Sequence, residues 1–373
     1  MAITTFTIDQ KKLLSVLSSM QPICTKRTTL DATSSILFQV GNKELVLKST
    51  DLEISLQSTC LLPHNDMSAA YSFLVSGKRI FDLVKELDDE ITFSFENNQV
   101  SLEANKVQLS LNVKDPEGFP PFPERIENLM HIDAQFLLTL LEKVAFLIPQ
   151  NNANSALNGL FLEVSPQGLT LTTTDGHCLA QVESPAITLE QEKKWLLPRR
   201  AIFELKKLLE TSKNGFVFLG VCGNQVVFSG EDFNFFTKLL SDSFPAYRTI
   251  LNKEGFIPAS VDRNHFIKTL RRSVCLLSGQ FLATTFTFNQ ELLSVAMQNK
   301  EVGKLHEALQ LKGFTGTDLD IRFYAPYILN GLQSFSEENI DFYLKNSSKP
   351  IVFHTEQEKY QMTYLVMPVS PTH

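Results

Sequence analysis

The pairing best suited to chemistry in this chain is Asp175 with His177, inside the run Thr172-Thr173-Thr174-Asp175-Gly176-His177. A carboxylate two residues from an imidazole shares its face on a strand and could run an acid–base relay, with Asp51 and Glu53 as helpers. The surrounding sequence does not complete such a site. It holds no Gly-rich phosphate loop, no nucleophile elbow and no metal-ligand spacing. Asp51 sits in Ser49-Thr50-Asp51-Leu52-Glu53, a setting equivalent to that of Asp175, yet Leu52-Glu53 stands where the other has Gly176-His177. A carboxylate that recurs while its histidine does not belongs to turn capping before catalysis. The expectation is no enzyme, no metal and no cofactor.

Bulk properties narrow the class. A chain of 373 residues exceeds one ordinary core and predicts two or three domains. The five cysteines (Cys24, Cys60, Cys178, Cys222, Cys275) are scattered and odd in number, which predicts reduced thiols rather than a disulfide framework. The first residues carry no basic n-region or apolar h-region, and no apolar run approaches the roughly 20 residues of a membrane span. A soluble cytoplasmic protein is expected. The net charge of −7 argues against a surface that coats nucleic acid everywhere, though not against a local basic stripe.

The elements that must position these residues recur three times. Phe6-Thr7-Ile8-Asp9, His131-Ile132-Asp133 and Ser260-Val261-Asp262 each read as a short strand ending in an Asp N-cap, followed by a helix with apolar residues at 3–4 spacing. Residues 35–56 and 158–180 repeat as strand pairs around Gly41-Asn42 and Pro166-Gln167-Gly168, and residues 283–303 have the same shape without Thr-Asp. Second helices open at Gly77, Pro198 and Ala325-Pro326, and closing strands follow each. A period of about 125 residues is far above the 20–50 of solenoids, so each copy can hold a core. The reading is three similar α+β domains, 1–128, 129–254 and 255–373.

Charge separates by element. The six predicted helices carry a net +6 inside a chain of −7, with +3 on residues 262–275 and +2 on 198–210. On the first of these, Lys268, Arg271 and Arg272 oppose the face of Phe266, Ile267, Leu270 and Val274. On the second, Arg199, Arg200, Lys206 and Lys207 point away from Ile202, Leu205 and Leu209. Such faces can be merely solvated. Helices presenting the excess together would instead meet duplex phosphates without reading sequence.

Five segments carry a family resemblance: STDLEISL (49–56), LNGLFLEV (157–164), TTDGHCLA (173–180), FPAYR (244–248) and YLVMP (364–368). In order and spacing they resemble signatures of the bacterial DNA sliding clamps, the beta subunits of DNA polymerase III, and the similarity runs from Phe6 to Val369. The resemblance implies three tandem clamp domains of two helices packed on antiparallel sheets, closing into a ring as a head-to-tail homodimer around double-stranded DNA. It implies a processivity factor that recruits polymerase, clamp loader and repair proteins by linear peptides.

By residue match the peptide groove would comprise Leu157, Thr174, Gly176, His177, Cys178, Leu179, Pro245, Thr249, Ile250, Pro350, Leu365, Val366, Met367, Pro368 and Val369. Cys178 and Thr249 stand where relatives commonly carry Arg, which places the groove's polar rim in question, and Ser370-Pro371-Thr372-His373 lengthens the usual end. The DNA-facing set would be Arg27, Lys78, Arg79, Gln150, Asn151, Arg199, Arg200, Lys206, Lys207, Lys268, Arg271 and Arg272. At the dimer contact Leu109 and Leu111 would meet Leu276 and Leu277.

Overall fold

The computed structural model describes residues 4–369 except 63, 66–69, 97, 124, 213–214 and 280. The extension from Ser370 to His373 lies outside the described residues. The first repeat comprises β1 (Thr4–Asp9), α1 (Gln10–Cys24), β2 (Ser35–Val40), β3 (Glu44–Thr50), β4 (Ile54–Leu61), β5 (His64–Asn65), β6 (Tyr71–Ser76), α2 (Gly77–Lys85), β7 (Glu90–Glu96), β8 (Gln99–Ala104) and β9 (Val107–Asn112). The second comprises β10 (Glu127–Asp133), α3 (Ala134–Ala145), β11 (Gly159–Ser165), β12 (Gly168–Thr174), β13 (Cys178–Ser184), β14 (Lys193–Pro198), α4 (Arg199–Thr211), β15 (Phe216–Cys222), β16 (Gln225–Ser229) and β17 (Phe233–Lys238). The third comprises β18 (Ile257–Asp262), α5 (Arg263–Cys275), β19 (Thr284–Phe288), β20 (Leu292–Asn299), β21 (Gly303–Lys312), β22 (Leu319–Phe323), α6 (Ala325–Leu332), β23 (Asn339–Leu344), β24 (Ile351–Glu356) and β25 (Gln361–Val366). Apart from the short β5, the order is the same each time.

Local chemistry explains the starts of these elements. Asp9 accepts the Lys12 amide at 2.9 Å, Asp133 that of Phe136 at 2.8 Å and Asp262 that of His265 at 2.6 Å. Each expected N-cap thus satisfies an amide that the first helical turn would leave unpaired, worth about 1 kcal/mol. Alternation in β1 sends Phe6 and Ile8 inward, and Phe6 stacks on Phe93 of β7 at 4.7 Å. The first helix does not stop ahead of its proline. It runs on to Cys24 through Pro22, burying Ile23 and Cys24, and this burial offsets the backbone bond that proline cannot make.

Each repeat splits its strands into two half-sheets. One joins the opening strand to the last three, as β1-β7-β8-β9, β10-β15-β16-β17 and β18-β23-β24-β25. The other joins the middle four, as β6-β2-β3-β4, β14-β11-β12-β13 and β22-β19-β20-β21. Repeats then share sheets. β17 pairs antiparallel with β4 from Phe233↔Ser58 to Thr237↔Ile54, and β13 pairs with β25 from Cys178↔Val366 to Glu183↔Gln361. Two strands in the corresponding positions are left over: among the described residues β9 pairs only with β8, and β21 from Gly303 to Gln310 pairs only with β20.

The chain divides into two compact units, Met1–Leu138 with Phe203–Leu239, and Thr139–Ile202 with Leu240–His373. Three tandem repeats stand, and strand pairing runs across their boundaries. The eight-stranded sheet lies in the first unit and the twelve-stranded sheet in the second, so the central repeat contributes a half-sheet to each. The reason is edge satisfaction, because a bare strand edge must find backbone partners.

Candidate functional site

The turn between β12 and β13 shows what Asp175 does. Its Oδ1 accepts the amides of His177 at 2.8 Å and Cys178 at 2.7 Å. Thr174 Oγ1 donates to the Cys178 carbonyl at 2.6 Å and accepts the Gly176 amide at 3.2 Å. The same bonds recur in the first repeat, where Asp51 Oδ1 accepts from Glu53 at 3.0 Å and Ile54 at 2.8 Å. Gly176 has φ +94° and the matching Leu52 φ +74°, so glycine removes a strain that leucine bears in the first copy. The third repeat builds its turn on Asn299, which accepts from Glu301 at 2.9 Å and, more weakly, from Val302 at 3.4 Å. Sequence reading missed this turn because Gln298-Asn299 replaces Thr-Asp, although asparagine is the usual substitute at such a corner.

With its carboxylate committed to amides, the turn presents His177 outward. The imidazole stacks on Tyr327 at 5.6 Å, and the His177 carbonyl accepts the Met367 amide at 2.9 Å. That bond lays the C-terminal segment along the turn, and the Val369 amide donates to the Arg322 carbonyl at 2.8 Å farther on.

Leu157, Thr174, Gly176, His177, Cys178, Leu179, Pro245, Thr249, Ile250, Leu365 and Met367, all expected from sequence, line one cavity of about 660 Å³ within the second unit. Its floor is the buried cluster of Leu179, Tyr247, Val352 and Leu365, with Phe244, Ile250 and Met367 packed around it. Phe161 and Phe244 stack at 4.9 Å and fix the approach of the loop after β17. A smaller cavity of about 290 Å³ adjoins it, sharing Thr249, Ile250, Lys349 and Met367.

Several expected positions fall elsewhere. Val366 is fully buried on the opposite side of β25 from Leu365, as strand alternation requires. Pro350 lines the smaller cavity, whereas Pro368 and Val369 continue the tail outside both. The correction that matters most concerns Cys178. It was placed at the polar rim, but only 1% of it is exposed, and burial pushes its thiol far above the ordinary range. The Tyr364 hydroxyl lies against it. An arginine there would bury a guanidinium in the space of a thiol. Asn154, Ala246, Tyr247 and Lys349 line the larger cavity and were not expected there. Tyr247 was within reach, since it sits inside FPAYR.

The expected DNA-facing positions divide by engagement. Arg27, Lys78, Arg79, Gln150, Asn151, Lys207, Lys268, Arg271 and Arg272 are exposed. Arg272 is ion-paired with Glu307, and Lys207 with Glu204 at 2.9 Å. Arg199 is half-buried and donates to the Ile148 carbonyl, so it braces the start of α4. Arg200 and Lys206 are half-buried and engaged within the fold, Lys206 over the Phe203 ring at 5.9 Å. Of the four expected interface leucines, Leu109, Leu111 and Leu276 are half-exposed, but Leu277 is 5% exposed and already packed in its own unit.

Comparison with known proteins is consistent along the whole chain. Residues 4–123, 131–246 and 248–370 match the N-terminal, central and C-terminal domains of the DNA polymerase III beta subunit. The beta sliding clamp of Pseudomonas aeruginosa is 27% identical over 98% of this chain and 99% of the relative. That of Escherichia coli K12 is 24% identical over 98% and 99%. The crystal structure of the Pseudomonas aeruginosa DNA polymerase sliding clamp superimposes with a TM-score of 0.89 at 26% identity, covering 98% of this chain and 99% of that one. A Pseudomonas aeruginosa clamp bound to griselimycin gives 0.90 at 26% identity, covering 99% and 100%. Three consecutive domain matches, set on three copies of one strand–helix order, place this chain in the DNA polymerase III beta subunit family.

Proposed function

We propose that this protein is a non-catalytic DNA polymerase processivity factor, a sliding clamp that encircles duplex DNA as a head-to-tail homodimer and recruits partners through the groove of the second unit. One observation carries the reading. Two of the three possible joints between repeats are made within the chain, β17 with β4 and β13 with β25. The third would join β9 of the first repeat to β21 of the third, and among the described residues β9 and the Gly303–Gln310 stretch of β21 each keep an open edge. A heterologous contact of this kind closes after two copies or runs on as a filament. Two chains of three repeats close it with six repeats. The half-exposed Leu109, Leu111 and Leu276 then belong to that joint; the repeat limit at 254 falls between modules, while the one at 128 falls inside β10.

A closed ring holds DNA by topology, so its inner contacts can stay weak and screened. The exposed Lys78, Arg79, Lys268 and Arg271 suit that task, and the acidic remainder keeps the outer surface from competing. Aliphatic side chains and Met367 around the groove suit linear peptides of varied sequence from polymerase, clamp loader and repair proteins, because they repack at low cost. No cofactor enters this activity, and replication places it in the cytoplasm.

The test is retention on DNA. A clamp loaded on nicked circular DNA should stay bound in moderate salt and leave when the circle is cut. Its native mass should be twice 42.1 kDa. A monomer, or binding indifferent to linearisation, overturns the reading.

A further inference from the structure

We propose that the smaller cavity is a cationic annex of the groove, walled by Lys345 and Lys349, and that it selects partner peptides with an Asp or Glu side chain next to their apolar anchor. The inference rests on the groove reading and names the class of peptide it favours.

Continuity comes first. Thr249, Ile250, Lys349 and Met367 line both cavities, so a peptide seated on the Leu179–Leu365 floor reaches the annex without leaving the protein surface. Strand-like backbone rises about 3.3 Å per residue, so the annex receives a residue one or two places from the anchor.

Charge comes second. Among the described residues, neither Lys345 nor Lys349 lies within ion-pair distance of a carboxylate. Lys345 is held by neutral groups: its Nζ donates to the Glu254 carbonyl at 2.9 Å and lies 5.9 Å from the centre of the Phe256 ring. Glu254 also lines the annex, but its backbone rather than its side chain holds the ammonium. Two ammonium groups against the one carboxylate of Glu254, with no ion pair between them, leave the annex net positive in a chain of −7, and a peptide carboxylate would balance it. The walls of Pro350, Phe256 and Ile250 exclude part of the surrounding water, which strengthens the attraction.

The experiment uses the full-length dimer and fluorescent synthetic octapeptides built on one Leu-Leu-Phe core, with Asp, Asn or Lys one or two residues to either side. At low salt, at least one Asp peptide should bind about three- to tenfold tighter than its Asn twin, a gap that closes as salt rises. In the Lys345→Met/Lys349→Met variant the Asp peptide should bind no tighter than its Asn twin measured on the same variant. Lys349→Glu should reverse the order and favour the Lys peptide, a gain that misfolding cannot produce. Equal binding of Asp and Asn peptides to the unaltered protein, or a preference that survives the double substitution, overturns the inference while leaving the groove standing. Flat titrations for the entire series overturn the groove and the annex together.

Discussion

The Tyr247 phenol donates to Glu163 Oε2 at 2.5 Å, tying the wall of the groove to the middle of β11. Glu163 Oε1 accepts from Arg248 at 2.9 Å, and Lys194 stands 3.6 Å away. Glu163 is 5% exposed, so a buried carboxylate holds two successive residues of the loop that carries Pro245, Thr249 and Ile250. Hydrogen bonds to a charged group contribute about 1.5–3 kcal/mol. Glu163→Ala should therefore release the loop and weaken peptide binding about tenfold or more. The dimer should be unaffected, and Glu163→Gln, which can still accept from the phenol, should lose less. Calorimetry with sedimentation on the same samples checks both.

The same pair sets a limit at high pH. Burial, then the hydrogen bond to Glu163, raises the Tyr247 pKa above its ordinary value of 10. A group whose folded pKa is raised contributes stability that is complete below the unfolded value and lost as pH rises through the folded one. Peptide affinity should hold up to about pH 10 and fall above it as the phenolate meets the carboxylate. Tyr247→Phe should flatten that part of the profile. An unchanged slope in that variant would assign the loss to another group.

Dimer closure can be tested by register. Carrying the β17–β4 and β13–β25 pairings onto the third joint sets Ser110 opposite Lys304 and Gln108 opposite His306. Cysteines at either pair should cross-link two chains on mild oxidation, since directly opposed residues have Cβ atoms about 4.5–5.5 Å apart. Leu276→Ala with Leu109→Ala should yield folded monomers by sedimentation. Replacing Leu277 would confuse the result, because its burial within one unit makes the change a core cavity costing about 2–5 kcal/mol.

Exposed and engaged cations should separate in their effects. Lys268→Glu with Arg271→Glu, and Lys78→Glu with Arg79→Glu, should reduce retention on circular DNA and flatten its salt dependence while melting stays unchanged. Arg199→Glu should lower the melting temperature instead, since it removes the donor to Ile148. A thermal melt beside each retention assay distinguishes them.

Deleting the chain from Met367 onward removes a shared wall of both cavities and the bond to His177. Peptide affinity should fall about tenfold or more, because losing 1.4 kcal/mol of apolar contact suffices. Cys178→Arg, which a rim position would have made a gain, should destabilise the second unit and weaken binding. Calorimetry on confirmed dimers decides both.

What could be read from the residues follows the range of the interactions. Asp9, Asp133 and Asp262 were legible as caps because each bonds an amide three residues on. Asp51 and Asp175 were legible as turn formers for the same reason. The threefold order of elements survived because each copy repeats its own alternation. The joints β17–β4 and β13–β25 were not legible, since pairing partners far apart in sequence leave no periodic trace. Cys178 lines the groove as expected, but its burial was not legible, because a family match aligns positions and does not say how deeply a side chain sits. Leu179, one residue on, faces the groove as expected.

The sharing of the central repeat between two sheets separates the units of duplication from the units of folding. A gene fragment cut at residues 126 and 254 would encode every element of one copy, yet its product would carry β17 and β13 without β4 and β25. Such bare edges invite pairing with other chains. The isolated module should aggregate, whereas coexpressed fragments that preserve both joints should reassemble. Because every joint pairs the same two edges, a chain one copy shorter would still carry complementary open edges, and six repeats would then close from three chains.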